Sequence, residues 1–246
     1  MRIAAAMGID VFALDFLLDY RDRDLGDTLC LARQGFHVSA NWQRATGLLA
    51  ERWPRQNPDA LLQPDGFSET FFRCLGARSV TSMDVSSYEG ATLLHDLNKP
   101  TPTDLMQKFD FIFDGGTLEH VFNFPIAIAN VKSMLRIGGL FISVNAANNQ
   151  LGHGLYQFSP ELFWRVFSSD TGFTIEEMAL VPLTETGHPQ RIPQTDPAGV
   201  RQEIGATPGA TYLIVAARHN RGETDLSDIY QSDYNAVWTQ AAERRP

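Results

Sequence analysis

A chain of 246 residues, 43% of them apolar, is long enough to bury one large core. Its formal charge of −9, with no basic run, excludes a broad electrostatic grip on nucleic acid, because phosphate binding needs clustered Lys and Arg. No apolar segment reaches the length of a membrane span, so neither nucleic acid nor a membrane is an expected partner.

Val11, Leu14, Leu17 and Leu18 recur at helical spacing. Asp10 and Asp15 interrupt that apolar run, which argues against a secretory leader and for a cytoplasmic protein. Cys30 and Cys74 both lie in apolar stretches and read as small core residues rather than a disulfide pair. A first strand is expected over 27–31. A mostly helical section follows over 35–76, punctuated by Pro54, Pro58 and Pro64, and reads as an insertion or a cap beside a cleft. Strand two ends at Asp84, residues 91–97 form a short third element, and strand four occupies 109–113. The units then tighten into a helix over 125–135, a strand over 140–144, and a helix over 160–167 that Ser159 caps. Two last strands, 174–183 and 211–217, flank a Pro- and Gly-rich loop over 184–210, whose length suits a lid or a surface insertion. Beyond it Ile229, Tyr230, Tyr234, Val237 and Trp238 fall on one helical face. The organisation is one domain over 1–220 and a polar, helix-capable tail over 221–246. Strands alternating with helices imply a mainly parallel sheet covered on both faces.

Three strand ends carry the chemistry. The run Phe109-Asp-Phe-Ile-Phe breaks into Asp114-Gly115-Gly116 and then Glu119-His120, delivering polar groups to a strand's carboxyl end, where open parallel sheets bind ligands. Met134-Leu-Arg-Ile-Gly-Gly-Leu-Phe-Ile-Ser-Val144 repeats a helix end, glycine turn and strand, and Ser79-Val-Thr-Ser-Met-Asp84 ends in a carboxylate. In this order the three segments resemble the class I S-adenosylmethionine-dependent methyltransferases. The resemblance covers about residues 25–218. It implies an α/β, Rossmann-like, seven-stranded, mainly parallel sheet with helices on both faces and an antiparallel last strand.

The resemblance also assigns roles. Asp84 corresponds to the carboxylate that accepts both ribose hydroxyls of the cofactor, and Asp96 to the polar residue that reads the adenine amino group; Asp114, Gly115 and Gly116 correspond to the turn near its methionine end. A charged acceptor suits two hydroxyl donors, and Asp96 before Pro100 also suits an Asx turn. The departure lies after strand one, where the family's acidic residue and Gly-x-Gly are replaced by Leu31-Ala32-Arg33-Gln34-Gly35. Arg33 and Gln34 are therefore expected to supply substitute contacts, the guanidinium fork suiting the methionine carboxylate.

In-line methyl transfer needs positioning and exclusion of water, with a base only where the nucleophile must lose a proton. His120, in the Leu-Glu-His segment, and His153, between Gly152 and Gly154, are the candidate bases, and Tyr156 the residue that orients the acceptor. No metal-ligand set is visible, since Glu119 and His120 are adjacent and the other histidines are scattered. A dinucleotide oxidoreductase would want the same missing glycine turn. The expectation is a methyltransferase acting on oxygen or nitrogen of a small polar metabolite, with a sugar or surface-polysaccharide intermediate as one candidate. Its cofactor would be S-adenosylmethionine and its partner a small-molecule acceptor, with a homo-oligomer left open. The alternative is a non-catalytic module of the same fold that binds a nucleoside or a protein.

Overall fold

The computed structural model describes residues 8–192, 204–221 and 226–243. Among the described residues ten strands run in chain order: β1 (Gly8–Ile9), β2 (Gly26–Leu31), β3 (Gly35–Phe36), β4 (Ala77–Asp84), β5 (Leu93–Leu94), β6 (Phe109–Gly115), β7 (Leu135–Ala146), β8 (Phe173–Pro182), β9 (Gln190–Arg191) and β10 (Thr211–His219). The α-helices among the described residues are α1 (Val11–Leu17), α2 (Trp42–Arg52), α3 (Glu69–Leu75), α4 (Phe124–Met134), α5 (Pro160–Val166) and α6 (Ser232–Glu243). β1 and β3 form a small parallel pair, and the other eight strands form one sheet in the order β5-β4-β2-β6-β7-β10-β8-β9. The strands β5, β4, β2, β6 and β7 are mutually parallel, whereas β10 is antiparallel to both β7 and β8. The fold is thus α/β and mainly parallel. Its sheet has eight strands rather than the expected seven, because β9 adds a two-residue antiparallel edge to β8.

Alternation along the central strands explains the layers. Phe111 and Phe113 of β6 and Ile142 and Val144 of β7 enter a core with α1, α2 and α3, while Ile112 and Phe141 enter the opposite core with α4 and α5. Parallel strands buried on both faces read as continuous apolar runs, and this is why 109–113 was legible as a strand. Residues 35–76 accordingly supply α2 and α3 to a helical layer on the sheet. α1 starts where the Asp10 carboxylate accepts the N–H groups of Phe12 and Ala13, both at 2.9 Å. α5 starts at Ser159, whose hydroxyl accepts from Leu162 N.

Other expectations shift. β7 begins at Leu135, directly after α4, and not at 140; Phe109 pairs with Leu135 and Phe111 with Leu140, so Gly138 and Gly139 lie in a bulge within the strand. Gly138 has φ +84°, a left-handed value that glycine holds without penalty. Cys30 is buried as expected, but Cys74 is exposed, since it falls on the outer side of α3. The tail supplies α6, on which Trp238 contacts the rings of Tyr230 and Tyr234. Within the 184–210 loop, residues 193–203 lie outside the described residues. Among the described residues no helix is long and apolar enough to cross a membrane.

Candidate active site

From β2 the chain passes outward through β4 to β5, then returns to β6 on the other side of β2. That reversal opens a crevice at the carboxyl ends of β2 and β6, the place where open α/β sheets bind ligands. The turn leaving β2 is tight. Ala32 donates its N–H to Met83 O at 2.6 Å and has φ +58°, a left-handed conformation that costs a residue with a Cβ about 1–2 kcal/mol. Strain of this kind concentrates at functional sites.

A cavity of about 210 Å³ lies in the crevice, walled by Ala32, Met83, Asp84, Val85, His95 to Asn98, Thr117, His120 and Val121. It is smaller than the roughly 300–1,000 Å³ of pockets that enclose a whole small molecule. Asp84 ends β4 there and commits Oδ1 to Ser86 N at 2.9 Å, with no partner for Oδ2 among the described residues. His95 is held by its backbone N–H on Asp84 O, and its Nε2 is buried without a partner among the described residues. A buried polar atom left unpaired calls for a ligand or water. Asp96 forms the Asx turn that its sequence allowed: Oδ1 accepts the N–H and Nδ2 of Asn98, each at 3.0 Å. Those bonds, and Lys99 nearby, hold its carboxyl below the usual range.

Arg33 and Gln34, expected to contact the cofactor, both find partners within the chain. Arg33 Nε meets Glu69 at 2.6 Å, an η-nitrogen meets Asp65 at 2.8 Å, and the guanidinium stacks 3.9 Å from the Phe67 ring. Its fork is thereby spent on the chain itself. Gln34 is buried, donating Nε2 to Leu31 O and to Thr117 Oγ1, and its Oε1 has no partner among the described residues. A Cβ on Gly115 would come within 2.5 Å of that Oε1. The Gln34 amide therefore fills the space beside Gly115.

Asp114 turns inward. Oδ1 accepts Thr117 N at 2.8 Å and Leu118 N at 3.3 Å; Oδ2 accepts Ser143 Oγ at 2.9 Å and Asn145 Nδ2 at 2.7 Å. Burial, and next the nearby Glu119 carboxylate, push its pKa up to about 7 against the Asn145, Thr117 and Ser143 donors. Asp114 thus fixes the turn after β6, in which Gly116 takes φ +89°, and ties that turn to β7. The Ser143 and Asn145 partners were not foreseen; their only sequence signal is two polar residues at alternate positions of an apolar strand.

The turn of residues Leu118–His120 delivers Glu119 and His120 to opposite surroundings, the first only 1% exposed and the second exposed. The loop after β7 brings His153 to them. His153 Nε2 lies 3.4 Å from Glu119 Oε1, and its ring centroid is 5.4 Å from that of His120. Hydrogen bonding to Glu119 favours the protonated imidazole and raises the His153 pKa. The two candidate bases are thus together at one rim, with His120 also walling the cavity. Tyr156 is beside them, but its hydroxyl donates to Phe122 O at 2.6 Å, so it staples the loop after β7 to the loop after β6.

No protein-family model matches this sequence, and no curated protein sequence does. By structure, the chain is similar to the Burkholderia thailandensis 1,6-didemethyltoxoflavin-N1-methyltransferase solved with 1,6-didemethyltoxoflavin and S-adenosylhomocysteine. Identity is 16%, coverage 85% of this chain and 76% of that chain, and TM-score 0.42. A putative methyltransferase from Bacillus halodurans C-125 gives 10% identity, coverage 85% and 99%, and TM-score 0.45. The N-methyltransferase NodS from Bradyrhizobium japonicum WM9, in complex with S-adenosylhomocysteine, gives 12%, 84% and 84%, and 0.43.

Proposed function

We propose that the chain is an S-adenosylmethionine-dependent methyltransferase acting on oxygen or nitrogen of a small polar metabolite. The observation that carries this reading is the cavity at the sheet's switch point, with Asp84 and the unpartnered His95 Nε2 on its wall and the pair Glu119–His153 at its rim. The residues fit the nucleoside half of that cofactor: Asp84 has an oxygen available for ribose hydroxyls, and Leu97 and Val121 offer apolar walls to a base. Arg33 is not among the groups that would meet the amino-acid half. Bound S-adenosylmethionine supplies a methyl group made electrophilic by its sulfonium.

The chain's own residues then have to hold the acceptor, exclude water and take a proton. Val85, Tyr88, Phe122, Leu151 and Leu155 expose apolar side chains from the loops after β4, β6 and β7, the same edge as the cavity, and can cover an acceptor. His120 and His153 are the groups at that rim that can accept a proton from an acceptor O–H or N–H. A sugar or polysaccharide intermediate remains within this reading.

The filled space at Gln34 favours a second reading, a non-catalytic module that takes only a nucleoside. Calorimetry with S-adenosylhomocysteine and with adenosine separates the two. Methyl transfer expects the first to bind at least about tenfold more tightly, since each additional set of contacts worth 1.4 kcal/mol is a factor of ten. Equal affinities support the module, and no binding of either at millimolar ligand overturns both.

A further inference from the structure

Glu119, His120 and His153 each place one nitrogen or oxygen so that the three atoms lie within 4.8 Å of one another. We propose that these three side chains form a binding site for a divalent first-row transition ion at the rim of the cavity. Three further observations support a site over a chance meeting of polar groups. The first is Glu119 Oε2, which is buried without a partner among the described residues, in a residue 1% exposed. His153 meets only Oε1, so half of this buried carboxylate stands open to a cation. The second is the Oε1 to Nε2 separation of 3.4 Å, which is about the distance between two ligands held 2.1 Å from a tetrahedral ion. The other two edges, both to the exposed His120, are no longer than 4.8 Å.

The third observation is that the backbone is built to hold His153 against Glu119. Leu155 N and Tyr156 N both donate to Glu119 O, at 2.9 and 3.1 Å. Gly154 packs so closely that a Cβ there would lie 2.9 Å from Glu119 Cγ. The preorganisation matters because ligands already gathered lose little freedom on binding.

The donor set selects the class of ion. Two imidazoles and one carboxylate suit Zn²⁺, Fe²⁺, Co²⁺ or Ni²⁺, whereas Mg²⁺ and Ca²⁺ prefer all-oxygen sites. Three protein ligands also leave coordination positions open, the pattern of catalytic rather than structural metal sites. His120 is both ligand and cavity wall, so an ion here adjoins the cavity. An ion with open positions lowers the pKa of an oxygen bound to it. Resting on the methyl-transfer reading, this narrows the acceptor to a hydroxyl compound: its proton passes to solvent, and its oxygen takes the methyl as the carbon–sulfur bond breaks. The ion then does the work otherwise asked of a free imidazole.

The test uses tag-free, chelator-treated full chain without cofactor, so that it is independent of the methyl-transfer reading. Co²⁺ is titrated by its visible ligand-field absorption and Zn²⁺ by calorimetry, with Mg²⁺ as competitor. The expected result is one ion per chain, unaffected by millimolar Mg²⁺, with affinity at least about tenfold weaker in His120→Ala and in His153→Ala. His120 is exposed, so its variant stays informative if loss of His153 disturbs the loop. Absent Co²⁺ binding to the wild type, wild-type affinity in both variants, or equal competition by Mg²⁺ each overturns the site. S-adenosylhomocysteine binding, measured separately on the same samples, reports on the cofactor reading alone.

Discussion

The Glu119 carboxylate stands 3.4 Å from His153 Nε2, and the Glu119 carbonyl accepts the N–H groups of Leu155 and Tyr156, so one residue after β6 anchors the loop after β7 through both its side chain and its backbone. Gly154 makes this approach possible: a Cβ there would lie 2.9 Å from Glu119 Cγ and 3.0 Å from Glu119 O. Gly154→Ala is therefore expected to open the loop at a cost of about 1–3 kcal/mol, the range for forcing an extra methyl into a packed contact. Hydrogen exchange checks it, through faster exchange of the Leu155 and Tyr156 amides. Wild-type protection of both would mean that the contact yields without opening.

Asp84 offers a second, separable prediction. Asn at this position keeps an oxygen for Ser86 N and loses the negative charge, so the fold should persist while an acceptor for ribose hydroxyls weakens. Hydrogen bonds to charged groups are worth about 1.5–3 kcal/mol. Asp84→Asn should thus lower S-adenosylhomocysteine affinity about 10- to 150-fold by calorimetry, with the same melting temperature in the absence of ligand. An unchanged affinity would remove Asp84 from the nucleoside site.

Arg33 should behave in the opposite way. Its side chain is 19% exposed and joins Asp65 and Glu69, two residues far along the chain, beneath the Phe67 ring. Removing one partner of a fully buried pair costs about 3–5 kcal/mol, and partial exposure screens this one. Arg33→Ala is expected to lower unfolding free energy by about 1–2 kcal/mol in urea and to leave cofactor affinity unchanged. A large loss of affinity at wild-type stability would instead return Arg33 to the ligand.

Arg33 and Asp114 take their partners from distant parts of the chain, whereas the strands are marked locally. Period and punctuation located the strands, because Phe111, Phe113 and Ile112 must be apolar to enter the two cores between which β6 lies. They also placed Asp84 and His120 at the carboxyl edge, since strand ends are marked by the change from apolar to polar. Partners are a different matter. Arg33 is satisfied by Asp65 and Glu69, and Asp114 by Ser143 and Asn145, through contacts that no local pattern encodes. The His120–His153 proximity is of the same kind: a search at helix-neighbour spacing passes over two histidines that meet across loops of adjacent strands. Ala32 adds a backbone example, a left-handed turn at a residue whose type does not announce it.

Lys132 lies on α4, 1% exposed, away from the crevice. Its Nζ is 3.3 Å from Thr171 O, the one hydrogen bond it makes among the described residues, and lies 4.6 Å from the centroid of the Phe173 ring. Burial disfavours the ammonium and lowers the pKa to about 7, against about 10.4 in an unfolded chain. Between those values the unfolded state binds more protons than the folded one, so this residue makes stability rise with pH from about 7 to about 10. Below pH 7 both states carry the charge, the slope vanishes and the full penalty remains. Each pH unit inside the window is worth up to about 1.4 kcal/mol. Lys132→Met keeps a long flexible side chain in place and removes the ammonium. It should be more stable than wild type at pH 7, with the difference shrinking toward pH 10. Urea unfolding of both proteins at pH 7, 8, 9 and 10 measures that difference directly, since titrations common to both cancel. Parallel stability curves across the range would show that the Phe173 face and Thr171 hold Lys132 charged at no net cost.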